Sequence, residues 1–132
     1  MRHGRAFQVG EVLAFERRFL DEDVVAFQRI SGDAGRHHAR PDALGRRMVQ
    51  GLLTATLPTK LGGDIDFIAR DMHFDFLRPV FTGDTIRCEM TIDEVAEEPG
   101  RVRLTMRGVC RNQDGKEVLR ILTRGIVRDE GV

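Results

Sequence analysis

The chain has 132 residues, enough for one buried core and too few for two of ordinary size. Its 21 Lys and Arg residues balance 21 Asp and Glu, so no net charge argues for a nucleic acid or an anionic membrane as partner, and neither is expected. The first residues lack a signal peptide's apolar run, no stretch has the length of a membrane-spanning helix, and Cys88 and Cys110 form no CxxC pair, so a cytoplasmic protein with buried, reduced thiols is expected.

In chain order, partial alternation over 13–19 predicts a short strand with Leu13, Phe15 and Phe19 inward. Asp21-Glu22-Asp23 then has the chemistry of a helix start, because carboxylates accept from free first-turn amides and complement the positive end of the helix. Val24, Phe27 and Ile30 recur at helical spacing and are expected to face inward. Gly32 and Gly35 end that helix, and a polar loop is expected to about residue 47. Residues 48–61 form the one strongly apolar helical candidate, expected to be largely buried, kinked at Pro58 and ended by Gly62-Gly63. Four strands follow at 67–77, 84–95, 101–110 and 117–127, joined at residues 81–84, 98–100 and 112–115. The result is a single α+β domain spanning residues 1–132, in which a long antiparallel sheet wraps around a central helix.

Asp33 and His38 lie five residues apart across a glycine-containing loop, near enough to aim both side chains at one spot. A carboxylate beside an imidazole is a versatile proton-transfer pair, because histidine titrates near neutrality and the acid can orient it or hold a water. On spacing alone the plainer reading is favoured, in which Asp33 caps its own turn and His38 is a solvated loop residue. Asp33, His37, His38 and Asp42 have the right types for metal ligands, but adjacent loop histidines make a poor preformed cage and no metal is expected. His73 should stand on the opposite strand face from Met72 and Phe74 in a structural role, and His3 is expected to be disordered.

Several motifs in order bear a resemblance to a known family. Val9-Gly10-Glu11, Phe27-Gln28-Arg29-Ile30-Ser31-Gly32-Asp33, His38 and Val49-Gln50-Gly51-Leu52-Leu53 are similar in order and spacing to the MaoC-like dehydratases, which include the (R)-specific enoyl-CoA hydratases. Residues 76–86, Phe-Leu-Arg-Pro-Val-Phe-Thr-Gly-Asp-Thr-Ile, resemble the strand-turn-strand segment of the same family. The resemblance implies the hotdog fold, a homodimer with active sites near the subunit interface, and reversible syn hydration of trans-2-enoyl thioesters to (R)-3-hydroxyacyl thioesters. It implies that Asp33 and His38 hold the attacking water and that the Gly51 amide stabilises the thioester oxyanion. Physics supports that last role, since the first amides of a helix lack internal partners and glycine admits close approach; Gly51 would equally allow tight packing of helix on sheet. No cofactor is implied beyond the coenzyme A or carrier-protein pantetheine that forms part of the substrate.

The chain departs from the family where Gly35-Arg36 replaces the usual Asn-Pro, where Arg40 replaces a common acid, and where Gln50 replaces a frequent histidine. The position of His37 is usually aliphatic and packed inward in the family. Arg36 and Arg40, with Arg46 and Arg47, are candidates to meet the phosphates of coenzyme A or a pantetheine arm. A hotdog thioesterase and a non-catalytic acyl-thioester binding module are the alternative readings.

Overall fold

Strong period-two alternation builds most of the molecule. In the computed structural model, which describes residues 6–129, the elements in chain order are β1 (Val12–Arg18), α1 (Asp21–Ser31), α2 (Arg36–Ala39), α3 (Gly51–Thr54), α4 (Thr56–Asp64), β2 (Ile68–Phe76), β3 (Thr85–Glu98), β4 (Arg101–Arg111) and β5 (Glu117–Arg128). The expectation for His3 lies outside the described residues. The five strands form one antiparallel sheet in the order β1-β3-β4-β5-β2, so β1 and β2 are its edges.

One face of the sheet makes the core. Ile86, Met90 and Ile92 on β3, Leu104 and Met106 on β4 and Leu119 on β5 are buried, each contributing about 1.5–3 kcal/mol of apolar transfer. Against them lies the helical segment 51–64, with Leu53, Leu57 and Leu61 inward. The other face carries ion pairs such as Arg107 with Asp93 and Arg120 with Glu117. Cys88 and Cys110, distant in sequence, are direct cross-strand partners, both buried and free. The neighbouring Cys88 side chain and burial push the Cys110 thiol up, so it stays protonated and unreactive.

Four expectations need correction. The helix starts at Gly51, because Met48 instead pairs with Phe81 and the Val49 amide donates to the Val80 carbonyl at 2.7 Å. It runs to Asp64, past Gly62-Gly63, with Lys60 and Asp64 paired one turn apart at 2.6 Å and the Phe67 amide closing on the Gly62 carbonyl. The polar loop contains the short helix α2. Ile30 and Leu52 are exposed, since α1 buries mainly Val24 and Leu52 turns away from the sheet. The kink is present: the helix breaks at Ala55, in the turn where Pro58 has no N–H to donate to the Thr54 carbonyl. Phe19 is buried, and Leu13 and Phe15 pack on the core as expected.

Candidate active site

The loop after α1 is set by its cap. Gly32 takes a left-handed conformation (φ 75°) and its amide closes on the Gln28 carbonyl, as a C-terminal glycine does. Ser31 Oγ donates to the Phe27 carbonyl at 2.7 Å and accepts from the Asp33 amide at 3.0 Å. Asp33 Oδ1 in turn accepts from the Gly35 amide at 3.3 Å, a turn that leaves Oδ2 outward. α2 then carries His38 inward while Asp33 stays on the surface, their side chains 7% and 48% exposed.

The geometry does bring the two together, with His38 Nε2 3.5 Å from Asp33 Oδ2. That is wide for a direct hydrogen bond and close enough for one water to reach both atoms. On its other side, His38 Nδ1 lies 2.6 Å from the Met48 carbonyl oxygen. A carbonyl only accepts, so Nδ1 carries a hydrogen and Nε2 is the nitrogen turned towards Asp33. In the tautomer with its one hydrogen on Nδ1, Nε2 and the carboxylate are two acceptors, an arrangement suited to a water that donates both its hydrogens.

The Met48 carbonyl was not foreseen in the sequence, for a definite reason. A helix beginning at Met48 would have given this oxygen to the Leu52 amide. Because the chain is extended at 48–49 and bonded to residues 80–81, the oxygen is free to fix His38.

A pocket of about 290 Å³ is walled by His38, Gly51, Thr54, Phe76 and Val80 among others. The Phe76 ring packs on Gly51 so closely that a Cβ there would lie 2.8 Å from it, so Gly51, the first residue of α3, has a packing reason of its own. Gln50, 1% exposed, donates from Nε2 to the Val24 carbonyl at 3.1 Å and ties α1 to the start of α3, while its Oε1 has no partner among the described residues.

His37 is exposed, unlike the inward aliphatic residue the family resemblance suggests, and its ring stands 3.9 Å from that of His38. It borders both this pocket and a neighbouring cleft of about 660 Å³, also lined by Arg36, Arg40, Arg46 and Phe81. Arg46 is held by Asp42 at 2.9 Å and lies over the Phe81 ring at 4.1 Å. Arg47 turns away, donating to the Ala39 carbonyl and approaching Asp21 at 3.9 Å. His73 pairs with Asp75 at 3.1 Å on the exposed sheet face, away from this site.

A five-stranded antiparallel sheet packed on one central helix, with a His-bearing loop against the start of that helix, defines a hotdog-fold protein. The chain belongs to the Thioesterase superfamily, whose family model matches residues 25–119. Among individual proteins it is similar to a mitochondrial 3-hydroxyacyl-[acyl-carrier-protein] dehydratase, FERN, of Solanum lycopersicum, at 25% identity over 85% of this chain and 72% of that one. Among solved structures it is similar to the (R)-hydratase from A. caviae involved in PHA biosynthesis, with a TM-score of 0.75, 26% identity and coverage of 95% and 98% of the two chains. The unliganded R-hydratase PhaJ1 of Pseudomonas aeruginosa shares the fold at a TM-score of 0.79 and 24% identity, covering 94% of this chain and 84% of that one. A MaoC-like dehydratase from Rhodospirillum rubrum does so at 0.76 and 20%, covering 96% of each.

Proposed function

We propose that this protein reversibly hydrates trans-2-enoyl thioesters to (R)-3-hydroxyacyl thioesters. The observation that carries the reading is the placing of His38, whose Nδ1 is held by the Met48 carbonyl while its Nε2 stands 3.5 Å from the Asp33 carboxylate. In the hydration direction the water oxygen bonds to C3 while His38 Nε2 takes one of its protons. The electron pair displaced from the double bond spreads onto the thioester oxygen, where the Gly51 amide donates to it. The Asp33 carboxylate steadies the imidazolium, and the same proton then passes to C2, so water adds across one face with no net proton change. Coenzyme A or a carrier-protein pantetheine enters as part of the substrate, and no separate cofactor takes part.

The similarity to a dehydratase and to an (R)-hydratase over nearly the whole chain supports this reading. The matching family's description favours one alternative, thioester cleavage by the same pocket. Incubation with crotonyl-CoA separates them. Loss of the enoyl absorbance without free thiol is expected; thiol release in its place establishes cleavage, and neither signal across several chain lengths establishes binding alone.

We further infer a homodimer. The β2 edge carries exposed Ile68, Met72 and Phe76, with Leu52 exposed on the neighbouring helix, an apolar border that a second copy would cover. Phe76 also walls the pocket, so such an interface would run beside the active site.

A further inference from the structure

We propose that the cleft beside the catalytic pocket receives a carboxylate at the end of the acyl chain, so that the substrate is a thioester of a short dicarboxylic acid. This rests on the acyl-thioester reading above and narrows it. Arg36 opens α2 and Arg40 caps its far end, its amide closing on the Arg36 carbonyl, and both side chains line the cleft. Among the described residues neither guanidinium has an ion pair or hydrogen-bond partner, whereas Arg46, Arg107 and Arg120 are each matched to a carboxylate. Two like charges one turn apart repel unless an anion joins them, and a guanidinium fork matches a carboxylate in shape as well as charge. Below them Pro41, Met48 and Phe81 offer an apolar floor suited to methylene groups, with Arg46 fixed over the Phe81 ring.

Position decides between the two sources of anion. The cleft shares His37 and Met48 with the pocket that holds His38 and Gly51, so the two cavities adjoin. The phosphates of coenzyme A, and the single phosphate of a carrier-protein arm, stand at the far end of the pantetheine chain from the thioester. An anion site this close to the chemistry is within reach of the acyl end.

Calorimetric titration with adipyl-CoA and hexanoyl-CoA tests this, since the two share chain length and coenzyme, differ in the terminal carboxylate and carry methylene groups beyond C3. Wild-type protein is expected to bind adipyl-CoA about tenfold more tightly or better. Arg36→Gln and Arg40→Gln should each remove most of that advantage, leaving hexanoyl-CoA affinity within about twofold and the melting temperature unchanged, because both side chains are exposed. Equal affinity for the two ligands, or no binding of either, overturns the proposal. So do variants that weaken both ligands alike, which would place the arginines on the coenzyme's phosphates. Both ligands lack the double bond, so a failure of hydration with crotonyl-CoA leaves this comparison standing.

Discussion

The Met48 carbonyl takes Nδ1 of His38 and leaves Nε2 to face Asp33. With Nδ1 committed, Asp33→Asn converts one of the two acceptors facing the water into a group that also donates, and His38→Ala removes the other. Each change is expected to lower hydration of crotonyl-CoA by about 10²–10⁴-fold with the melting temperature nearly unchanged. Near-normal turnover in either variant would refute the assignment. His37→Ala serves as the comparison, since that exposed ring stands against His38 and, among the described residues, makes no hydrogen bond or ion pair with Asp33, and it should be much milder. Asp42 reports on the neighbouring loop. The Arg46 amide, with the Arg46 guanidinium and the Leu44 amide, holds its carboxyl below the ordinary value of 3.8. A depressed folded-state pKa stabilises the protein above the unfolded value, and that contribution is lost as pH falls through the folded one. Asp42→Asn should therefore lower the melting temperature at neutral pH, with the gap to wild type closing in acid; a gap that persists in acid contradicts the assignment.

The join between the extended stretch at 48–49 and α3 organises the site. It frees the Met48 carbonyl for His38 and puts Gly51 at the first helical position, its Cα under the Phe76 ring. Gly51→Ala would drive a methyl group into that ring and is expected to destabilise the fold by about 1–3 kcal/mol and displace the amide proposed as oxyanion donor. Phe76→Leu in the same chain should restore much of the stability, as measured by urea unfolding, whereas no rescue would mean that the glycine matters for another reason. The helix itself was legible as an apolar run with a proline, and the kink at Ala55 follows from Pro58. Its start was not legible, because Met48 and Val49 suit helix and strand alike and only pairing with Phe81 and Val80 selects the extended form.

At the scale of the whole molecule, β2 is an edge on which Ile68, Met72 and Phe76 are exposed. Light scattering after size exclusion should give twice the monomer mass for wild-type protein, and Met72→Lys, which places a charge on that edge, should shift it towards monomer. A wild-type monomer at micromolar concentration would contradict the proposed interface. The sequence by itself determined the four long strands, the capped helix after Asp21, the central apolar helix and the spacing of Asp33 and His38, because alternation, helical period, caps and turns are local signals read over a few residues. Only the tertiary structure decided which apolar residues were spare, leaving Ile30 and Leu52 exposed, and which strands were edges. It alone set Cys88 opposite Cys110, turned His38 Nδ1 to the Met48 carbonyl and gathered Arg36, Arg40 and Arg46 around one cleft. Each of these depends on contacts between segments far apart in the chain, where no local period carries information.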